Sequence, residues 1–380
     1  MFKVLKKSNK SKARLSQLQT AHGKIMAPFF MPIATKGAVK NLTPTELELL
    51  QSQIILANTY HLMLAPGQNL IKKAGGIHKF INWSGPILSD SGGFQVFSLA
   101  NLRKITENGV EFSDPKSGKK YLLTPESSVQ IQNDLNVDIA MAFDDVIGYP
   151  AQKAKVNEAM LRTNRWAKRC LDQKHKLKNK KQLLFGIIQG GIFKDLRISS
   201  AKEITSLNFD GFAVGGVAVG EPREKMKEIL NWVNPYLPEN KPRYLMGLGK
   251  PEEIVLAVKN GIDMFDCVIP TREARHGRLY LWSPTHRQGV SALPSKSGKD
   301  ARPIKLTGKF YHTINITNAK YATDFSPINN TNLKQYSKAY LHHLFKTNEP
   351  LGMRLATLNN LEFYLGLMSE IRRGIKMGKI

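Results

Sequence analysis

Cysteine and long apolar runs are both scarce in this sequence. Only Cys170 and Cys267 occur among the 380 residues. Two cysteines cannot build a disulfide framework or a cysteine-rich metal site, and such scarcity is typical of the reducing cytoplasm. No apolar run approaches the roughly 18 residues of a membrane-spanning helix. The lysine-rich start, residues 1–15, is not followed by an apolar segment, so we expect no signal peptide and a cytoplasmic protein.

The motifs of several common chemistries are also missing. The chain has no G-x-x-x-x-G-K-[ST] loop, which argues against hydrolysis of a nucleoside triphosphate. Its glycine-rich segment 215–220 lacks the G-x-G-x-x-G spacing that opens a dinucleotide-binding helix. Cys267 follows Asp266 in an apolar stretch, where we interpret it as a core residue rather than a nucleophile.

Negative charge is in short supply as well. The chain has 56 Lys and Arg against 30 Asp and Glu, which gives a net charge of +26. Residues 271–380 hold 18 basic and 6 acidic residues, whereas residues 1–270 hold 38 and 24. The C-terminal part therefore has the denser positive charge, which favours a polyanionic partner such as nucleic acid. A generally basic proteome or a need for solubility is the alternative explanation.

Eight short apolar segments alternate with helical patterns along the chain. They are apolar throughout, which is typical of strands buried on both faces. Helix starts with a Thr cap and a following Pro, as at Thr43 and Thr124, fall between them. Eight such strands predict an α/β fold, a (β/α)8 barrel, with an open doubly wound sheet as the alternative. The segments are residues 28–34, 54–59, 86–89, 138–143, 183–188, 211–214, 243–246 and 263–268.

The chain is longer than the about 250 residues that one barrel needs. We assign residues 1–278 to the catalytic barrel, with an insertion near 94–121. Residues 279–380 are assigned to an appended C-terminal subdomain. Within that subdomain, residues 355–375 have the pattern of a final helix, which we expect to close the barrel.

Polar residues and glycines follow nearly every predicted strand. Asp90, Asp144, Asp145 and Gln189 stand at strand ends, and Asp266 lies within the eighth segment. Taken singly, the glycine pairs could be turns, Asp145 a helix cap and Gln189 a surface turn residue. The carboxyl ends of barrel strands converge on one face, however, and active sites form there. Together these residues predict a pocket with several carboxylates, one amide and close backbone approach.

Paired carboxylates are suited to breaking a glycosidic bond, one as nucleophile and the other as acid or base. A buried carboxylate can also accept hydrogen bonds from the N1–H and 2-amino groups of a guanine-like base. A glutamine can donate to the carbonyl oxygen of that base.

Six ordered motifs stand at these positions: DSGGFQV at 90–96, FDD at 143–145, GIIQGG at 186–191, GGVAVGE at 215–221, YLMGLGKPE at 244–252 and MFDCVIPTR at 264–272. They closely resemble bacterial tRNA-guanine transglycosylases, and the resemblance extends from about residue 28 to the C-terminus. Enzymes of this family are barrels that exchange a guanine base in tRNA for a 7-deazaguanine.

The resemblance implies a role for each matched residue. Asp266 would attack C1′ of the target nucleoside and form a covalent tRNA intermediate, and Asp90 would be the acid and base. A second group would bind the substrate base, with Phe94 on one face of the base and Met246 on the other. Phe94 stands where the family usually has Tyr. Base contacts are implied for Ser91, Gly92, Gly93, Phe94, Asp144, Gln189, Gly216 and Met246. Contacts with the tRNA anticodon loop are implied for Gly247, Leu248, Gly249, Lys250, Pro251, Glu252, Glu253, Thr271, Arg272, Glu273, Ala274 and Arg275.

The sequence departs from the family at its structural zinc site. The family has a C-x-C-x-x-C motif after a D-F-x-P segment and a His about one helix later. Here the D-F-x-P segment is present at 324–327, but residues 328–335 contain no Cys, and the His position holds Asn359. A zinc site needs its full ligand set, so we expect no zinc. The base exchange that the resemblance implies needs no redox or nucleotide cofactor, so we expect no other cofactor. We expect Tyr340, Leu341, Leu344 and Leu355 to hold the subdomain by apolar packing instead.

The substrate and the assembly are less defined by these motifs. Asp145 followed by Val146 is closer to queuine-using eukaryotic members, whereas Val217, Ala218 and Val219 are bacterial-like. Because Val219 should crowd the cyclopentene ring of queuine, we favour 7-aminomethyl-7-deazaguanine (preQ1) over queuine. The expected assembly is a homodimer, although loss of zinc weakens that expectation.

Three other functions are compatible with parts of this pattern. A non-catalytic tRNA-binding homologue would not need both Asp90 and Asp266. A DNA-modifying deazaguanine transglycosylase would not keep the match at 271–275. A carbohydrate-active barrel would be expected to have more than four Trp residues and a less basic composition.

Overall fold

The computed structural model describes residues 1–94, 103–283 and 306–380, and its centre is a parallel β-barrel. The first barrel strand is divided at Pro32 into two pieces, β4 and β5. β4 pairs with the last barrel strand and β5 with the second, and the N–H of Leu56 donates to the carbonyl of Pro32 across 2.9 Å. The ring is thereby closed, which confirms the predicted barrel. The strands are β4 (Phe29–Met31), β5 (Ile33–Ala34), β6 (Ile55–Asn58), β7 (Ile87–Asp90), β11 (Ile139–Met141), β12 (Leu183–Ile188), β13 (Gly211–Val214), β14 (Arg243–Leu245) and β15 (Met264–Asp266).

Two buried layers fix the barrel. Side chains such as Leu88, Met141 and Phe185 form one apolar cluster that draws on the barrel strands. A larger cluster, which includes Ile87 and Leu184, packs the strands against the surrounding helices. Adjacent strand residues thus face opposite layers, which explains why these strands are apolar at every position.

Helices connect the strands and surround the barrel. Thr43 and Thr124 cap two of them as predicted, and Pro follows each cap. Both caps are capping boxes in the structure. In the described residues the α-helices are α1 (Pro44–Leu49), α2 (Thr59–Leu64), α3 (Gln68–Lys73), α4 (Ile77–Ile81), α5 (Pro125–Leu135), α6 (Lys153–Leu177), α7 (Lys194–Ser206), α8 (Lys225–Val233), α9 (Pro251–Lys259), α10 (Ile269–Arg275), α11 (Lys338–Lys346) and α12 (Pro350–Lys376). Short 3-10 helices span Asn234–Tyr236 and Ala319–Tyr321.

Three antiparallel sheets are added to the barrel. The first, β1 (Phe2–Lys7), β2 (Arg14–Thr20) and β3 (Gly23–Ala27), lies at the amino ends of the barrel strands. Arg14 of this sheet pairs with Asp263, which directly precedes β15. The second sheet, β8 (Arg103–Ile105), β9 (Val110–Ser113) and β10 (Lys120–Leu123), falls in the predicted insertion, of which residues 95–102 lie outside the described residues.

The third sheet is the hairpin of β16 (Arg278–Trp282) and β17 (Tyr311–Asn315). The last helix, α12, packs against β16, α10 and barrel strand β4. It begins at Pro350, five residues before the start expected from the sequence. The division of the chain at residue 278 stays a prediction. Among the helices of the described residues, none combines the length and the hydropathy that a membrane span requires.

Candidate active site

Asp90 ends strand β7 inside a set of hydrogen-bond donors. The side-chain amide of Asn58 donates to its Oδ2 across 2.5 Å. The backbone N–H groups of Thr59 and Gly92 donate to its Oδ1 across 3.1 and 3.2 Å. Burial, together with the nearby charges of Asp266 and Asp144, raises the pKa of Asp90 to about 7, although the hydrogen bonds from Thr59 and Gly92 lower it. A carboxyl group with this pKa can release or accept a proton near neutral pH.

Asp266 ends strand β15, and among the described residues one of its carboxylate oxygens accepts hydrogen bonds while the other accepts none. Its Oδ1 accepts from the Tyr244 hydroxyl across 2.5 Å and from the Gly247 N–H across 2.8 Å. No donor within the described residues contacts Oδ2. Burial raises the pKa of Asp266, while these two hydrogen bonds lower it. Two donors on one oxygen fix the carboxylate plane, so Oδ2 is available as a nucleophile.

Asp144 and Gln189 form the polar centre of the neighbouring pocket. The Gln189 amide donates to Asp144 Oδ2 across 2.8 Å, and the Ser91 hydroxyl donates to Oδ1 across 3.2 Å. Both Asp144 and Gln189 are buried. Burial raises the pKa of Asp144 to about 6 despite these two bonds. The predicted surface-turn alternative for Gln189 is therefore wrong.

Glycines let the backbone pass close to this polar centre. A Cβ atom at Gly93 would lie 2.7 Å from the backbone oxygen of Asp144. One at Gly215 or Gly216 would lie 2.6 Å from the amide group of Gln189. Gly216 also has a φ of +57°, a conformation that side-chain-bearing residues rarely adopt. These contacts explain why the strand ends carry glycine where a simple turn would accept other residues.

The two apolar side chains expected to cover the base follow strands β7 and β14 in the chain. Phe94 is 42% exposed, and Met246 is partly buried against the barrel core. Their positions after β7 and β14 place them on the same face of the barrel as the acids. Asp145 is not the N-cap of the next helix, which begins at Lys153; it pairs with Arg162.

The two segments expected to contact tRNA flank Asp266 in the chain. Gly247, Glu252 and Arg272 are exposed there. Lys250, Glu273 and Arg275 are half-buried, and the remaining members of the set are buried. The buried members are Leu248, Gly249, Pro251, Glu253, Thr271 and Ala274.

Helix α12 donates hydrogen bonds to backbone carbonyls within or next to both of these segments. The Tyr364 hydroxyl donates to the carbonyl of Gly249 across 2.7 Å. The Asn360 amide donates to the carbonyls of Pro270 and Arg278 across 3.0 and 2.9 Å. The C-terminal helix is thus part of the framework that shapes the predicted tRNA surface.

Three of these site residues escaped the sequence analysis. Asn58 ends the second barrel strand and Thr59 directly follows it, so the same strand-end rule could have identified them. Tyr244 is 1% exposed and sits within an apolar strand, where a tyrosine is usually a core residue. Nothing in the sequence alone shows that its hydroxyl meets Asp266.

The region of the family's zinc site holds a hydrogen-bonded group of polar side chains instead. Asn329 donates to Asn359 Oδ1 and to Glu362 Oε2, each across 3.1 Å. The Thr331 hydroxyl donates to the same Glu362 oxygen across 2.6 Å. One carboxylate among amides and a hydroxyl does not fit zinc, which takes Cys, His and carboxylate ligands as a full tetrahedral set. We call Asn329, Thr331, Asn359 and Glu362 the polar node.

The apolar part of this subdomain differs from expectation at one residue. Leu341, Leu344 and Leu355 are buried in one cluster. Tyr340 is 40% exposed and stacks on Tyr336, so its predicted core role is wrong.

The described residues contain one cluster of three side chains with metal-ligand chemistry, at the amino end of the barrel. His22 and His78 stack at 3.6 Å between ring centroids and both contact the carboxylate of Asp138. The same carboxylate accepts from the backbone N–H groups of His22 and Ile87, each across 2.9 Å. Four contacts already occupy its two oxygens, and these bonds join the N-terminal sheet to the barrel.

Comparison with known proteins identifies the family. The family described as Queuine tRNA-ribosyltransferase matches residues 8–380. A Queuine tRNA-ribosyltransferase of Natranaerobius thermophilus is 48% identical over 379 residues, which cover 98% of this chain and 94% of the relative. Those of Desulforamulus reducens and Staphylococcus haemolyticus are each 46% identical over 383 residues, all of this chain and 95% and 93% of the relatives. The chain, whose strand-end acids meet at one face of a closed barrel, therefore belongs to the queuine tRNA-ribosyltransferase family.

Proposed function

We propose that this protein, as a tRNA-guanine transglycosylase, exchanges the guanine at wobble position 34 of tRNAs with a G-U-N anticodon. The incoming base is a 7-deazaguanine, and the reaction belongs to queuosine biosynthesis. The observation that supports this most directly is the pair of acids at the ends of β7 and β15. One has a pKa near neutrality, and the other presents a single open oxygen.

The reaction follows a double displacement. Asp266 Oδ2 attacks C1′ as the bond from C1′ to N9 of guanine breaks, and the electron pair leaves with the base. A proton from Asp90 neutralises the departing guanine. In the second half, N9 of the incoming base attacks C1′, the ester bond to Asp266 breaks, and Asp90 takes the N9 proton. Two inversions at C1′ retain its configuration, and we expect the two carboxyl groups about 5 Å apart, as in retaining glycosidases.

Base recognition uses the neighbouring polar centre. Asp144 accepts from the N1–H and 2-amino groups of the base, and Gln189 donates to its carbonyl oxygen. Their present hydrogen bond to each other keeps both groups oriented before the base enters. Phe94 and Met246 cover the two faces of the ring. An analogue without the 2-amino group would leave the buried Asp144 short of a donor and should bind more weakly.

The pocket continues beyond Gln189 and Gly216, which supports preQ1 as the incoming base. Asp145 and Glu221 line this continuation. Val219 is half-buried, and its N–H donates to Glu221 across 2.8 Å. An aminomethyl cation suits a carboxylate-lined pocket, whereas the larger substituent of queuine would meet Val219. Competition between preQ1 and queuine for labelled guanine in tRNA tests this, and tighter binding of queuine would contradict it.

The tRNA anticodon loop is proposed to lie on the two segments that flank Asp266. Arg272, Arg275 and Arg278 lie there, and neutralisation of phosphates dominates such affinity. We infer no resident metal, because the polar node replaces the zinc ligands. A homodimer stays our expectation for the assembly, and the cytoplasm, where tRNA is found, for the location.

Incorporation of labelled guanine into tRNA tests the proposed function. Wild-type protein should label a G-U-N tRNA and should not label the same tRNA with adenine at position 34. The Asp266→Asn variant keeps the size of the side chain but removes the nucleophile, so it should label neither. Absence of label with the folded wild-type protein, or equal labelling by the variant, would contradict the proposal.

A further inference from the structure

Arg197 is a fully buried cation without a carboxylate partner among the described residues. It lies in the first turn of α7 and is 0% exposed. Its guanidinium donates instead to four backbone carbonyls. Nε donates to Gly191 O across 2.7 Å, and Nη2 to Gly216 O across 2.6 Å. Nη1 donates to Ile188 O and Gly215 O across 3.0 and 2.7 Å.

These carbonyls lie close in the chain to Gln189, which is proposed to donate to the base carbonyl, and to the backbone N–H of Gly216. Ile188 and Gly191 flank Gln189 in the chain. The carbonyl of Gly215 and the N–H of Gly216 belong to one planar peptide group, in which they point in opposite directions. Since Arg197 holds the carbonyl, the N–H is directed away from the guanidinium. Within residues 1–94, 103–283 and 306–380 that N–H has no acceptor.

We propose that Arg197 is a positioning residue for base recognition, which fixes the Gly215–Gly216 peptide so that the Gly216 N–H donates to the carbonyl oxygen of the base beside Gln189. The inference rests on the proposed base exchange. A carbonyl oxygen has two lone pairs, so it can accept from Gln189 and from Gly216 together.

The charge on Arg197 adds to this effect. A cation bound to one end of a peptide group polarises the group, and the N–H at its other end becomes a stronger donor. The donor matters most when the leaving base carries the electron pair from the broken bond, because part of that negative charge reaches the base carbonyl. Arg197 therefore assists departure of the base without touching it.

The Arg197→Lys variant tests the proposal, because it keeps a cation but cannot reach four carbonyls from one nitrogen. Arg14→Lys is the matched control. Arg14 is also buried and donates to two backbone carbonyls, of Glu239 and Lys241, but it lies in the N-terminal sheet. We expect Arg197→Lys to lower kcat/KM for the base on the order of 10- to 100-fold, less than the loss of an oxyanion donor. Its Kd for tRNA should not change, and the control should lose thermal stability only.

A second comparison separates positioning from simple loss of structure. The base 2-aminopurine lacks the carbonyl oxygen of guanine, so its inhibition constant should be the same for wild type and Arg197→Lys. That of guanine should rise in the variant. If the constants of both bases rise equally, or if neither rises, Arg197 has no role in reading the carbonyl. Failure of wild type to exchange guanine would instead refute the proposed function.

Glycine-labelled wild-type protein provides a measurement that needs no variant. The Gly216 amide proton should shift downfield when guanine binds, and the shift should be absent with 2-aminopurine. No shift with guanine at saturation would overturn the proposal, even if Arg197→Lys failed to fold.

Discussion

Replacement of Asp90 by Asn should stabilise the protein at alkaline pH while abolishing base exchange. The pKa of Asp90 is about 7 in the folded protein and 3.8 as a free side chain. Because the folded state binds this proton more tightly, the contribution of Asp90 to stability is complete below pH 3.8. It is lost as the pH rises toward 7. The Asp90→Asn variant, which cannot ionise, is spared that loss.

The size of the effect follows from the pKa difference. Between pH 5 and pH 8 the wild type loses about 2.6 kcal/mol, because the loss is about 1.36 kcal/mol per pH unit well below the folded pKa and decreases as Asp90 ionises. Asp90 is partly exposed, so solvent screening makes this an upper bound. The variant also loses the hydrogen bond that the Asn58 amide donates to Asp90 Oδ2. The Asn58 amide cannot rotate to accept instead, because its oxygen already accepts from the His61 N–H at the start of α2. That cost is the same at each pH and cancels when the two pH values are compared.

Urea unfolding of both proteins at pH 5 and pH 8 measures this difference. The free energy of unfolding of Asp90→Asn relative to wild type should be higher at pH 8 than at pH 5 by about 1 to 2.6 kcal/mol. The exposed Asp195 is a suitable control, because its pKa is lowered by Lys153 and it stays ionised across this range. An equal difference at both pH values, or one that falls, would refute the assignment of a raised pKa to Asp90.

Three further changes probe other parts of the site. Gly216→Ala should raise KM for the base at least about 10-fold without affecting tRNA binding, because the added Cβ meets Gln189; steady-state kinetics with unchanged KM would contradict this. Glu362→Ala should lower the unfolding free energy by about 1 to 3 kcal/mol, since it leaves the donors of the polar node unpaired. Wild-type protein purified without chelator should contain less than one zinc per chain. Stoichiometric zinc bound at the polar node would contradict the inference that these side chains do not bind zinc. Tyr364→Phe removes the hydrogen bond to the Gly249 carbonyl, so it should lower the free energy of unfolding by about 1 kcal/mol and weaken tRNA binding. An unchanged Kd for tRNA would contradict the role of α12 in shaping the tRNA surface.

The barrel and the position of its active face could be predicted because both follow from local pattern. Strands such as β12 are buried on both faces and therefore apolar at every position. Asp90, Asp144 and Gln189 are polar residues placed where such strands end. Their convergence follows from the geometry of any parallel barrel.

Contacts between residues distant in sequence could not be predicted in this way. From residue type and position in the sequence, Tyr244 is expected to be a core residue of a strand, and Arg197 an exposed residue of a helix. Each acquires its role only from the partner that the fold brings to it. The N-terminal sheet was also missed, because burial alternates along β2 without a matching alternation of apolar and polar residues. Its buried positions are Arg14, Ser16, Leu18 and Thr20, of which only Leu18 is apolar.

The zinc region shows a limit of another kind. Absence of cysteine after Pro327 predicted the loss of a ligand set, but not what replaced it. The polar node depends on Glu362, one turn beyond Asn359 on α12, which no ligand motif includes. Side chains at spacings of three or four lie on one helix face, so this spacing is the signal that could have drawn attention to Glu362.

Capture of the covalent intermediate tests the central claim most directly. Wild-type protein incubated with a G-U-N tRNA and quenched in denaturant without an incoming base should yield a protein–RNA adduct, and peptide mapping should place the ribose ester on Asp266. Asp266→Asn should yield none, while Asp90→Asn should still bind the tRNA. An adduct that persists in Asp266→Asn, or exchange of guanine by wild type through a route that leaves Asp266 unmodified, would contradict the account.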